Sequence, residues 1–183
     1  MLNRDYGFTL IELMITLAVA AIVLGIAIPS FNSTVLNNRS LALGGELASA
    51  INFARAEAVK RSTRVSICPS SNGEVCLGAN DWAKGWIVFT DTAPADSTAT
   101  ATIGTVLRHW GDLNKKAVIT AKKGSVALTY LRFTSTGGLA RSNAADVASR
   151  VFEAHIEGCK NTSKGQLKVG IAGLISSLKV DCP

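Results

Sequence analysis

The run from Phe8 to Ile28, FTLIELMITLAVAAIVLGIAI, constrains this chain more than any other feature. At about 1.5 Å per residue, a helix of that length reaches across a hydrocarbon core of about 30 Å. A secretory signal has a shorter apolar stretch of about 7–15 residues, with a small-residue cleavage site after it. This run is longer and contains a carboxylate, so it reads as a helix that can span a membrane. Arg4 precedes it, so by the rule that basic flanks stay inside, Met1 is expected in the cytoplasm and the C-terminal domain outside it.

Glu12 is the one charged residue of the run. An ionised carboxylate among apolar side chains needs a cationic partner or a route to water. Its place in the first turns leaves both open, because a carboxylate near the interface can reach solvent. Pro29 has no amide hydrogen, so in a continuing helix the carbonyl of Gly25 loses its partner and a hinge is expected at Ile28–Pro29. The plainer alternative is a helix break at the membrane boundary.

Beyond Pro29 the pattern becomes one-sided. Leu36, Leu43, Leu47, Ala50, Ile51, Ala54 and Ala58 recur at helical spacing, while Arg39, Glu46, Arg55 and Lys60 take the remaining directions. An amphipathic continuation over residues 29–61 follows, and Gly44-Gly45 within it marks close packing or a second flexible point. From Ser62 onward short β-like runs alternate with turns: Thr63–Cys68, Gly85–Asp91, Thr105–Trp110, Lys116–Ala121, Leu128–Phe133, Val151–Glu157 and Gln166–Ile171. With 183 residues there is room for one compact domain and an appendage. The expected fold is α+β, a long N-terminal helix packed on an antiparallel β domain at 62–183. Mean hydropathy is +0.27, with the apolar excess concentrated in Phe8–Ile28.

The four cysteines, Cys68, Cys76, Cys159 and Cys182, include no C-x-x-C pair and have no histidine at zinc-finger spacing. Neither a metal nor a cofactor is expected. Beyond a membrane-targeting segment, an even count points to disulfides in an oxidising compartment such as the periplasm. Three pairings are open. The turn signal Pro69-Ser-Ser-Asn-Gly73 favours Cys68 with Cys76, which leaves Cys159 with Cys182.

Gly7-Phe8-Thr9-Leu10-Ile11-Glu12 resembles the signal of type IV prepilins and type II secretion pseudopilins: a short hydrophilic leader (here residues 1–7) ending in Gly, then Phe, with Glu four residues beyond. The resemblance implies cleavage by a prepilin peptidase between Gly7 and Phe8 and N-methylation of Phe8. It also implies that Glu12 meets the Phe8 amine of a neighbouring subunit, the cation that its position calls for. Two further stretches, Phe53–Arg61 with Arg64–Cys68, and Asp81–Asp91, are similar to the GspH/FimT family, which includes minor pilins and a minor pseudopilin. The resemblance implies an inner-membrane protein with a periplasmic domain. Its partners would be major and minor pilins or pseudopilins, met through the N-terminal helix in a pilus, at a pilus tip or in a secretion system.

Net charge is +6, a moderate excess compatible with phosphate or acidic partners and equally with plain solubility. Some members of the family resemble DNA receptors, so Lys115, Lys116, Lys122 and Lys123, and Lys160, Lys164, Lys168 and Lys179 around the terminal cysteine loop, are candidate DNA contacts. Against this, the Gly-Arg-x-Arg pattern of DNA-receptor members is absent, the comparable stretch reading Gly173-Leu-Ile-Ser176. His109 and His155 have no nucleophile or metal partner in the local sequence, and no catalysis is expected. Trp82, Trp86 and Phe89 read as core or subunit-contact aromatics.

Overall fold

The structure is a computed structural model that describes residues 8–97 and 100–183, with the side chains of residues 26–30 outside the described set. The chain divides into a unit up to Val35 and a compact unit from Leu36 to Pro183. Helix α1 (Leu10–Arg61) runs through both. In the second unit it is followed by β1 (Val65–Pro69), a 3-10 turn at Trp82–Lys84, β2 (Trp86–Asp91), β3 (Ile103–Trp110), β4 (Ala117–Lys123), β5 (Val126–Ala127), β6 (Leu131–Phe133), β7 (Arg150–Ile156), β8 (Lys164–Val169) and β9 (Ile175–Val180).

The ends of α1 are chemically defined. Its C-terminus closes with a Schellman arrangement: Ser62 takes a left-handed φ of 50°, and the amides of Ser62 and Thr63 donate to the carbonyls of Val59 and Ala58. Glu57 receives Arg61 at 2.5 Å and Lys60 at 3.5 Å across this last turn.

All strand pairs are antiparallel and form two sheets, ordered β3-β2-β1-β6 and β5-β4-β7-β8-β9. The one-sided stripe of α1 supplies the centre of the core: Leu43, Leu47, Ala50, Ile51, Ala54 and Ala58 are buried together with Val65, Ile67, Trp86 and Val88 of the first sheet and Ile119, Phe152, Ala154 and Leu167 of the second. Full burial of a side chain the size of Leu47 or Ile51 contributes about 1.5–3 kcal/mol. Trp82 stands against Phe152 edge to face at 5.1 Å, and its indole N–H donates to the carbonyl of Leu128 at 2.9 Å.

The sheets differ in how many faces they cover. Every residue of β1 is buried, because a second small cluster of Cys68, Ile87 and Phe89 packs on the face turned away from the main core. The Cys68–Cys76 disulfide, with its Cα atoms 5.7 Å apart, closes that side. Strand β7 instead alternates buried and half-buried residues along its length, so the second sheet is covered on one face and open on the other. A second disulfide joins Cys159 to Cys182 and ties the segment after β9 to the loop after β7. In that region Ser40 Oγ accepts the Ile156 amide at 2.9 Å, and Asn37 Oδ1 accepts the Lys160 amide at 2.8 Å.

Gly44 of α1 and Gly165 of β8 meet backbone to backbone. A Cβ placed on Gly44 would lie 3.3 Å from the Gly165 Cα, and one on Gly165 would lie 3.2 Å from the Gly44 Cα. Gly44 therefore answers the close-packing reading of the Gly44-Gly45 pair. A Cβ on Gly45 would meet nothing within 4 Å. Gly165→Val is expected to force the helix off the sheet and lower stability by about 1–3 kcal/mol, read as a lower Tm by circular dichroism, with Gly45→Ala as the tolerated control.

Candidate assembly site

At its N-terminus, α1 begins with a reciprocal pair of caps. The Glu12 carboxylate accepts the Thr9 amide and the Thr9 hydroxyl, each at 3.0 Å, and the Glu12 amide donates to Thr9 Oγ1 at 3.3 Å. This is a capping box, in which each side chain satisfies the other residue's orphan donor at the helix start. The Thr9-x-x-Glu12 spacing is the sequence signal for it, one that the charge of Glu12 alone does not reveal. In this chain the carboxylate thus has a local partner, while its subunit partner belongs to the expectation raised by the leader.

Downstream of the box, Leu10, Ile11, Leu13, Met14, Ile15, Leu17, Val19, Ile22, Val23 and Leu24 are each more than half exposed, and Phe8 before it is 87% exposed. These positions fall on every side of the helix. A helix apolar all round suits a lipid or multi-helix environment rather than water on any face. Gly7 lies outside the described residues. The helix is assigned through Pro29, whose side chain is outside the described set. A Cβ on Gly25 would meet nothing within 4 Å. No helix among the described residues is long and apolar enough to cross a membrane; the side chains of residues 26–30, which include the end of the apolar run, lie outside the described set.

The candidate DNA contacts are not gathered on one surface. Lys164 and Lys168 share the open face of β8, and Lys164 pairs with Glu153 at 3.2 Å. Lys179 stands opposite Gly165 in the β8–β9 register and so belongs to the other face. Lys160 lies in the loop before β8. Of the β4 lysines, Lys123 binds Asp146 at 2.6 Å, and Lys122 projects to the opposite face.

There are two buried ionic clusters among the described residues, and of their members the sequence singles out only Lys123, as a candidate DNA contact. Asp91 at the end of β2 accepts Ser66 Oγ at 2.6 Å, Arg132 Nε at 2.7 Å and the amides of Ala93 and Thr102, both at 3.0 Å. Burial pushes its carboxyl up, but these donors prevail and hold it below the usual range. Arg132 also donates to the carbonyls of Asp96 and Thr100, each at 3.1 Å, which fastens the loop after β2 over the sheet. The second cluster joins Asp146 to Lys123, to Arg150 at 3.0 Å and to the amide and hydroxyl of Ser142. Both border a cleft of about 240 Å³ between the sheets. In the first, Asp91 pairs with Arg132, and in the second the single carboxylate of Asp146 is shared by Lys123 and Arg150, arrangements suited to fixing loops. Among the described residues no group of His, Cys, Asp and Glu is placed to hold a metal. His109 sits against Gly73 and Gly111, and burial holds His155 below its usual titration range.

Likeness to known proteins bears on this arrangement. The family described as Type II transport protein GspH matches residues 44–173, and the prokaryotic N-terminal methylation motif matches residues 2–28. Crystal structures of the type IV minor pilin FimU from Pseudomonas aeruginosa share the fold. In one crystal form the TM-score is 0.56 at 24% identity, covering 78% of this chain and 89% of that one. The minor pseudopilin EpsH from the type 2 secretion system of Vibrio cholerae has a TM-score of 0.51 at 9% identity, over 77% of this chain and 97% of that one. No curated protein sequence matches the chain.

The Asp146 cluster gives a pH prediction. Burial would raise the carboxyl, but Lys123, the Ser142 amide and Arg150 outweigh it and hold it at about 2, below the ordinary 3.8. A depressed folded-state value stabilises above about pH 4 and loses that contribution as pH falls toward about 2. Asp146→Asn should therefore lower Tm at neutral pH, and the gap to the parent chain should close between pH 4 and 2. Parallel curves across that window would show that the cluster contributes nothing through ionisation.

Proposed function

The chain belongs to the family described as type II transport protein GspH, and from that premise we propose that it is a minor pilin, a subunit that helps start a type IV pilus or sits at its tip. The observation that carries the reading is the start of α1, where Thr9 and Glu12 cap a helix that is apolar on every side through Leu24. Such a helix has two environments available to it, the inner membrane and the packed centre of a bundle of similar helices, and a filament subunit uses both in turn.

In this reading a prepilin peptidase cuts between Gly7 and Phe8, and the new Phe8 amine is methylated. The helix holds the protein in the inner membrane, with the domain from Ser62 onward in the periplasm, where the two disulfides are stable. On assembly, the Glu12 carboxylate exchanges its Thr9 donors for the Phe8 amine of a neighbour and so selects axial register. Gly25 and Pro29 mark the place where the helix can bend to fit the filament. The open sheet and loops of the domain then choose neighbours, and no reaction is assigned to any residue.

A second reading within the same architecture, the minor pseudopilin of a type II secretion system, is supported by the family's description and by the shared fold with EpsH. The DNA-receptor reading has less support, since its candidate lysines are divided between two faces and Lys164 is paired.

Counting surface pili in a clean deletion strain, with the intact gene restored in trans, tests the reading. Loss of pili that the gene restores is expected, while normal piliation together with failed protein secretion would favour the pseudopilin. Restoring the Glu12→Ala variant instead should leave the domain folded and reduce incorporation by at least about tenfold, since a buried charge pair with one partner removed is worth a few kcal/mol. Unchanged incorporation would reject the role given to Glu12.

A further inference from the structure

The open face of the second sheet has a composition that its neighbours in the fold do not explain. Its outward positions fall in rows set by the strand register. One row runs Lys122, Val151, Lys168, Ser176, and the next runs Thr120, Glu153, Gln166, Leu178. Val118, His155, Lys164 and Val180 lie beyond them. Glu153 is occupied, accepting Gln166 at 2.9 Å and Lys164 at 3.2 Å. Lys122 and Lys168 are exposed and make no ion pair among the described residues; they stand two strands apart, about 10 Å at the usual strand spacing, with Val151 between them. Leu178 is 56% exposed at the border of the same face.

We propose that this face is a docking surface for another subunit of the same filament. That subunit would present two carboxylates to Lys122 and Lys168, on either side of apolar contacts to Val151 and Leu178. The inference rests on the filament-subunit reading and assigns it a surface. Charge complementarity fixes the chemistry of the partner: the two exposed cations call for carboxylates, and the valines and leucine call for apolar side chains between them, as in a protein interface with a less polar centre and a charged rim. A nucleic acid fits less well, because the fixed Glu153 carboxylate lies at the centre of the face where a phosphate would run, and no Phe, Tyr or Trp among the described residues stands on it to stack a base.

The test uses the full chain in its own cells, with a photoreactive residue in place of Leu178 in one strain and in place of Ile15, on the apolar helix, in another. Crosslinking at Leu178 to a filament subunit is expected, with the adduct mapping to a segment that contains Asp or Glu. Lys122→Glu with Lys168→Glu should cut that adduct by about tenfold or more while the Ile15 adduct persists, and the paired Gln variants should give an intermediate loss. Three results overturn the inference: no Leu178 adduct where Ile15 crosslinks normally, an adduct indifferent to charge reversal, or an adduct with DNA or lipid. Absence of subunit adducts from both positions would instead reject the filament-subunit reading beneath it.

Discussion

The rest of this structure depends on a helix that needs two different surroundings along its length. Through Leu24 its side chains are apolar and exposed on every side, whereas from Leu43 to Ala58 one face is buried and the remainder reaches water. Water suits only the second part. The β domain exists to cover that second stripe: Leu47, Ile51 and Ala54 are enclosed by strands from both sheets, and the Gly44–Gly165 contact lets helix and sheet approach backbone to backbone. The large apolar side chains of the first part, from Phe8 to Leu24, are exposed, and a helix of that composition finds its partners in lipid or in other helices.

Polar groups fix what apolar packing alone would leave free to slide. Ser40 and Asn37 accept amides from the end of β7 and the loop after it, which sets the rotation of the helix against the second sheet. Asp91 and Arg132 hold the loop after β2, and Asp146 ties β4 to the start of β7. A buried pair of this kind adds little net stability compared with apolar replacements, but removing one partner leaves a charge without compensation. These clusters are therefore best understood as devices that select one loop arrangement. The two disulfides act in the same sense at the rim of the first sheet and after β9.

Much of this is legible in the sequence where side-chain periodicity is strong. The stripe from Leu43 to Ala58, the α+β class and strands such as β2, β4, β7 and β8 can be read because they bury apolar residues in a run or in alternation, while β3 is read from its β-branched run and turn flanks; Trp82, Trp86 and Phe89 are fully buried. Strand β9 escapes such a reading, since Ile-Ser-Ser-Leu-Lys-Val is an edge strand with little burial and so lacks the alternation that betrays a strand. Strand β5 is two exposed residues held by a hairpin to β4. The expected strand over Leu128–Phe133 shortens to Leu131–Phe133, as Leu128 gives its carbonyl to Trp82 instead of to a ladder. The ionic clusters are illegible for a different reason: Asp91 and Arg132 are 41 residues apart, and only the folded sheet brings them together. At the assembly site, the apolar run and Glu12 are plain from composition, while the Thr9 cap shows only in the spacing.

The measurement that tests the central claim most directly is mass spectrometry of filaments sheared from the cell surface. If the apolar helix is an assembly device, the filaments contain this chain in small amount, and its N-terminal peptide begins with methylated Phe8. A chain that keeps residues 1–7, or that is found in membranes and never in filaments from cells that make them, would contradict the account.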